Sequence, residues 1–315
     1  MNAGLAPGEV VRLEGLDLPP GARFYYVWRG DVRLRVMLAG PKMDEARGSI
    51  IFQPGRTEFI EKFFETINDL VNRGFRVLIL DPRGQGLSSR PLSDPMRYWV
   101  GSFDDYCDDL VFVSKSFKDD LPRPHILMGH SMGGTIGLQT ILTGRMLPSA
   151  CVFTSPMLEF QDIHTPIPII LVNILARIGF SFMTLPFQSG RSGKPVPYKD
   201  NKLTSDKDRY KLWATYFENH KRLRVGPPTF GWIAAALKAM KFVRKNAEHL
   251  KIPALIVSCG GDPIVTPRSI AEFAEKAGAD YLNIPGCLHE ILLEKDEYRQ
   301  VFWQAFDAFL DKHGL

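Results

Sequence analysis

The sequence predicts an α/β fold: a mostly parallel sheet flanked by helices, with an inserted helical cap. Three observations carry this expectation. Five short apolar runs recur along the 315 residues. Longer amphipathic stretches separate them. The alternation stops between residues 156 and 231 and then resumes.

The runs are SIIFQ at 49–53, RVLIL at 76–80, HILMG at 125–129, CVFTS at 151–155 and ALIVS at 254–258. Each is nearly continuous in apolar residues, as a strand covered by helices on both faces should be. The stretches at 58–72 and 103–117 predict the helices of βαβ units. Residues 23–37 differ. YYVWRGDVRLRVM reads as a hairpin turning at Arg29-Gly30-Asp31, which predicts an antiparallel edge. Prolines at 166, 168, 186, 195, 197, 227 and 228 interrupt the later segment. The expected organisation is therefore a core at 1–155, a cap or lid at 156–231, and the rest of the core at 232–315.

Composition narrows the function classes. Hydrophobic residues make up 45% of the chain and charged ones 23%, so a large core is available and disorder is not expected. A net charge of +4 is too small to point to nucleic acid. Cys107, Cys151, Cys259 and Cys287 form no Cys-x-x-Cys pair, so no zinc or redox site is indicated. Free thiols, and an N-terminus without a basic-then-apolar leader, predict a cytoplasmic setting.

The chemistry enters at Gly129-His130-Ser131-Met132-Gly133-Gly134. This is G-x-S-x-G with a strand before it and a helix after it, the context that a nucleophile elbow requires. Small neighbours let backbone approach the serine, and the helix N-terminus favours developing negative charge. A serine hydroxyl needs an imidazole to take its proton and a carboxylate to hold the imidazole. The expected chain order is Ser, acid, His. His289 sits in a loop before the last helix and is the candidate base. His249 reads as a surface residue, His313 lies at the terminus, and His164 and His220 fall in the insert. Asp262, in Gly-Gly-Asp-Pro after ALIVS, is the candidate acid, although the same residues make an ordinary turn. Asp81 is the alternative, with the wrong order. The oxyanion requires two N–H donors. Met132 supplies one by position, and Arg56, in Gln53-Pro54-Gly55-Arg56-Thr57, is the choice for the other. The same loop could simply turn, with Thr57 capping the next helix.

GHSMGG, DPRGQGLS at 81–88, GGDPIV at 260–265 and CLHEIL at 287–292 together resemble the monoacylglycerol lipase and lysophospholipase group of α/β-hydrolases. The stretch from Gln53 to Arg90 is more similar to bacterial lysophospholipases of the L2 type. The resemblance runs from about residue 49 to the C-terminus and is weakest through the insert. It implies Ser131 as nucleophile, Asp262 as acid, His289 as base, and oxyanion donors at Arg56 and Met132. It implies hydrolysis of single-acyl-chain lipid esters with no metal or cofactor. One departure is Pro54-Gly55, where monoacylglycerol lipases carry His-Gly.

The insert contains IPIILVNILARIGFSFMTLPF at 167–187. Asn173, Arg177, Ser181 and Thr184 fall on one helical face and the rest is apolar. A membrane span, a buried helix and a cap helix facing an acyl pocket all fit this pattern, the span least well. Residues 156–231 hold 11 Lys and Arg against 6 Asp and Glu. Lys199, Lys202, Lys207, Arg209, Lys211, Lys221, Arg222 and Arg224 follow the apolar stretch. Such a pairing suits peripheral contact with an anionic membrane, and equally a solvated basic face. Rival readings on the same triad are carbon–carbon bond hydrolysis and cofactor-free peroxidation. A non-catalytic binding protein is the third, although such scaffolds often lose a triad member. Epoxide and haloalkane hydrolysis would call for an aspartate at position 131.

Overall fold

Residues 49–53, 76–80, 125–129, 151–155 and 254–258 all lie in strands or at their ends in the computed structural model, which describes residues 4–161, 169–184 and 193–315. The strands are β1 (Ala6–Pro7), β2 (Arg23–Arg29), β3 (Val32–Ala39), β4 (Gly48–Gln53), β5 (Phe75–Leu80), β6 (His125–His130), β7 (Ala150–Thr154), β8 (Ala254–Cys259) and β9 (Asp280–Ile284). Among the described residues they form one sheet, ordered β1-β2-β3-β5-β4-β6-β7-β8-β9. The β2–β3 hairpin and the β3–β5 pair are antiparallel, and pairing is parallel from β5 through β9. Every residue of β4, β7 and β8 is buried, which is why these strands lack polar alternation.

Helices cover both faces. α1 (Phe64–Asn72) and α8 (Asp296–His313) pack Phe64, Ile67, Phe302 and Phe306 against Phe52 and Ile79 on one side. α2 (Phe103–Ser116), α3 (Met132–Leu142), α6 (Phe230–Lys245) and α7 (Pro267–Ala277) enclose the other side with Leu110, Leu138, Ala236 and Phe273. The amphipathic stretch at 58–72 opens with a tight single turn, Ile60–Phe63, before α1 begins. Parallel pairing brings the carboxyl ends of β4, β6, β7, β8 and β9 to one edge, and the loops leaving them converge there.

Between β7 and β8 the chain departs from the sheet. It forms α4 (Ile169–Leu175), a π-type turn (Ala176–Phe180) and α5 (Lys207–Asn219) before α6. One continuous helix through the apolar stretch does not form in the described part. Gly179, at φ +104, breaks it, a conformation that glycine adopts without a side-chain clash. Ser181 and Met183 then offer their carbonyls to the N–H groups of Gly231 and Phe230 at 2.8 Å. Burial does not follow the predicted polar face either, although Arg177 on that face is exposed. Asn173, Ser181 and Thr184 are half-buried, and in α4 Val172 alone is fully buried. Ile170 is 74% exposed and Ile178 62%, with Ile174, Phe182 and Met183 beside them in sequence also exposed. The buried-helix reading therefore fails here. Among the described residues no helix is long and apolar enough to cross a membrane. Residues 162–168 and 185–192, with His164, Pro166, Pro168 and Pro186, lie outside the described residues.

Candidate active site

Ser131 ends β6 and opens α3 with φ +54 and ψ −117, a conformation that costs an L-residue energy. Its surroundings hold it there. The Ser131 N–H donates to the Thr154 carbonyl at 3.0 Å, and its carbonyl accepts from Met157 N–H at 2.9 Å. Gly133 lets the loop after β4 close against the elbow. A Cβ at that position would lie 1.9 Å from the Gln53 carbonyl oxygen.

Asp262 and His289 arrive from the loops after β8 and β9. The His289 imidazole lies between the other two groups, 2.6 Å from Asp262 Oδ2 through Nδ1 and 2.9 Å from Ser131 Oγ through Nε2. An ionised carboxylate can only accept, so Nδ1 carries the proton and Nε2 is left to accept from the serine hydroxyl. Asp262 Oδ1 also accepts from the N–H groups of Ile264 and Val265, at 2.8 and 3.1 Å. All three side chains are buried. Burial opposes charge on Asp262, but His289 and these two amides outweigh it and hold its pKa below the usual carboxylate value. Burial likewise opposes charge on His289. The Asp262 carboxylate outweighs it and raises the imidazole above its ordinary value.

The other candidates lie elsewhere. Asp81 is committed to Arg35 Nε at 2.7 Å and to the N–H groups of Ile60 and Leu87. His249 is exposed, and His313 sits 3.6 Å from Asp280 at the surface. His220 lies near Tyr216, with ring centroids 6.4 Å apart.

The loop after β4 carries Arg56. Among the described residues no acceptor takes the N–H of Arg56 or of Met132. Gln85, from the Arg-Gly-Gln-Gly loop, braces this segment. Its Nε2 donates to the Gly55 carbonyl at 2.6 Å and the Glu58 carbonyl at 2.9 Å, and its Oε1 accepts from Thr57 N–H at 3.2 Å.

A buried charge cluster beneath the histidine escaped the reading of the sequence. Lys62 Nζ donates to Glu290 Oε1 at 2.6 Å and to Glu58 Oε1 at 3.0 Å. The other Glu58 oxygen accepts from the Gly55 N–H. Glu290 adjoins His289, so one ammonium ties the histidine loop to the loop after β4. Burial opposes the Lys62 charge, but Glu290 and Glu58 outweigh it and keep the amine protonated. His130 faces this group, with Nε2 4.0 Å from Glu58. Burial and the His289 charge push its pKa down to about 3, so it stays neutral. Glu58, His130 and Glu290 are close enough to share a cation, and the Lys62 ammonium already neutralises the two carboxylates. Cys259, at the end of β8, and Cys287, in the loop after β9, pack sulfur to sulfur at 3.0 Å as buried thiols.

Residues 44–296 match the sequence model of the family described as serine aminopeptidase, S33. The chain belongs to that α/β-hydrolase family. Lysophospholipase L2 of Escherichia coli is 30% identical over 84% of this S33 hydrolase and 81% of its own length. A monoacylglycerol lipase of Mycolicibacterium smegmatis is 23% identical over 85% and 90%. A soluble variant of monoglyceride lipase from Saccharomyces cerevisiae superposes with a TM-score of 0.72, covering 95% of this chain and 98% of its own, at 20% identity.

In Asp262→Asn the imidazolium loses its carboxylate while burial remains. The His289 pKa should fall, the acid limb of the kcat/KM profile should move to lower pH, and kcat should drop about ten-thousand-fold. In Lys62→Met two buried carboxylates lose their cation. Stability should fall by about 3–5 kcal/mol in denaturant titration. The added negative charge should raise the His289 pKa and move the acid limb to higher pH.

Proposed function

We propose that this S33 hydrolase cleaves the carboxylic ester of single-acyl-chain lipids, lysophospholipid first and monoacylglycerol second. The supporting observation is the continuous hydrogen-bonded path from Asp262 through His289 to a strained, buried serine hydroxyl. Ser131 Oγ attacks the ester carbonyl while His289 Nε2 takes its proton. The carbonyl oxygen becomes an oxyanion at the unclaimed N–H groups of Arg56 and Met132. The intermediate collapses, His289 protonates the departing glycerol oxygen, and the acyl group stays on Ser131. A water then gives its proton to His289, attacks the acyl carbon and frees the fatty acid with the serine restored. Every proton is moved by His289, so no step calls for a metal or cofactor.

The family description names an aminopeptidase, whose substrate ammonium would require an unspent carboxylate near the serine. The two carboxylates beneath His289, Glu58 and Glu290, are already committed to Lys62. That commitment supports the ester reading, as do the lysophospholipase and monoacylglycerol lipase activities after which the relatives are named.

Residues 156–231 serve as the lid in this reading, and its exposed apolar side chains meet the lipid surface. Exposed Lys199, Lys202, Lys207, Lys211 and Lys221 supply the cationic surround. Arg209 does not contribute, since Glu65, Asp206 and Asp296 hold its guanidinium. Arg222 pairs with Glu9, and Arg224 bonds the Phe217 and Glu218 carbonyls.

Two measurements test these statements. Fluorophosphonate labelling and release of fatty acid from lysophospholipid should both vanish in Ser131→Ala, and labelling that survives would overturn the nucleophile assignment. Co-sedimentation with anionic phospholipid vesicles should weaken about ten-fold in an Ile170→Glu, Ile178→Glu double variant. Unchanged co-sedimentation would remove membrane contact from the reading.

A further inference from the structure

Most cations drawn into this protein meet acids. Arg35 lies between Glu61 and Asp81, Arg83 is held by Asp109, and Arg299 by Glu65 and Asp69. Among the described residues Arg90 has no such partner, but its two terminal nitrogens donate to the carbonyls of Gly84, Gly86 and Arg222.

Arg56 is different. Its side chain is half-buried, and among the described residues no carboxylate reaches it. One long hydrogen bond, 3.4 Å from Nη1 to the Gly226 carbonyl, is its single polar contact there. Aromatic rings hold it instead. Its Cζ lies 5.8 Å from the Tyr98 ring centroid and 5.7 Å from that of Trp232. Tyr98 is fixed in turn, by hydrogen bonds to Gln85 at 2.8 Å and to Tyr106 at 3.0 Å. Aromatic faces orient a guanidinium without neutralising it. The fork is positioned and most of its donors are unspent, while burial pulls its pKa down. An unpaired, partly desolvated cation is costly unless an anion comes with the ligand.

The anion has a natural place in the reaction. The Arg56 guanidinium and the nucleophile elbow share a neighbour in Tyr98. Tyr98 Oη reaches Met132 Sδ, at 3.5 Å, on the residue after the nucleophile. In a lysophospholipid, glycerol separates the ester carbonyl from phosphorus by a chain about as long as an extended arginine side chain. A substrate whose carbonyl oxygen takes the Arg56 N–H therefore has its phosphodiester within the span of that residue's own side chain. Planar donors match phosphate oxygens in pairs.

We propose that the Arg56 guanidinium is the phosphate-binding group of the substrate cleft and selects lysophospholipid over monoacylglycerol. This rests on the lipid-ester reading above and adds a specificity residue to it.

The test compares kcat/KM on palmitoyl lysophosphatidylethanolamine and on monopalmitoylglycerol for the wild type, Arg56→Gln and Arg56→Lys. All three keep the backbone amide. In Arg56→Gln the preference for the phospholipid over the glyceride should fall about ten-fold or more, mainly through KM. Arg56→Lys should recover part of it. Glycerophosphoethanolamine should compete with a soluble ester in the wild type, where glycerol does not, and this arm needs no variant to fold. Equal losses on both lipids, or no competition by the phosphodiester, would overturn the assignment of Arg56 and leave the lipid-ester reading standing. A wild-type enzyme that leaves both lipids intact would overturn both.

Discussion

The 2.6 Å bond between Asp262 and His289 is the constraint on which the site depends. A carboxylate with both oxygens accepting hydrogen bonds cannot rotate away from the imidazole. It therefore sets which ring nitrogen faces the serine. The three side chains come from the ends of β6, β8 and β9, and their separation follows from strand spacing. β7 lies between the serine and acid strands, so the imidazole is what spans the gap. A loop holding the imidazole must then be anchored from below, because a small displacement of a catalytic group is enough to slow the chemistry.

Buried ions provide that anchoring. Lys62 links Glu290, beside the imidazole, to Glu58, which holds the Gly55 amide. Arg35 does the same one layer deeper, joining Glu61 to Asp81. Asp81 in turn accepts from Ile60 and Leu87, and so connects the loops after β4 and β5. Buried ion pairs are weak sources of stability because desolvation offsets their attraction. What they supply here is position: a charge with two partners at fixed distances permits few arrangements of the loops that carry them. The lysine also balances the two carboxylates, so the field at His289 is set mainly by Asp262.

The sheet and the catalytic candidates were legible because local pattern and tertiary role agree. Double-sided burial writes itself as unbroken apolar runs, and the elbow as glycines around a serine between strand and helix. The antiparallel edge was legible from its turn. Lys62 was not, because Glu58 and Lys62 stand four residues apart, the ordinary spacing of an exposed helical pair. The aromatic residues around them, in Phe59-Ile60-Glu61-Lys62-Phe63-Phe64, were the available signal that this face is buried. The apolar stretch of the insert misled for a related reason. Periodicity locates a polar face but does not say which face meets water, and Gly179 breaks the helix on which the periodicity was counted. Gln85 was visible within its motif, but its role depends on two loops meeting, and no spacing along the chain records that.

The backbone itself marks where the molecule tolerates cost. Among the described residues three non-glycine positions have positive φ: Thr57, Ser131 and Ser155. They fall just after β4, β6 and β7, three adjacent strands, at the edge of the sheet that holds the serine. Strain of order 1–3 kcal/mol at each persists only where the surroundings over-determine it. Thr57 is held through Gln85, Ser131 by Thr154 and Met157, and Ser155 by its N–H bond to Val257. The buried His130 Nε2, without a partner among the described residues, lies beside them. Elsewhere, glycine takes up the positive φ that the turns require. Local rules are therefore relaxed beside the Ser131 hydroxyl and the Arg56 and Met132 amides, which no acceptor takes among the described residues. Those are the conditions that an oxyanion at the proposed site would impose, whatever ester is bound.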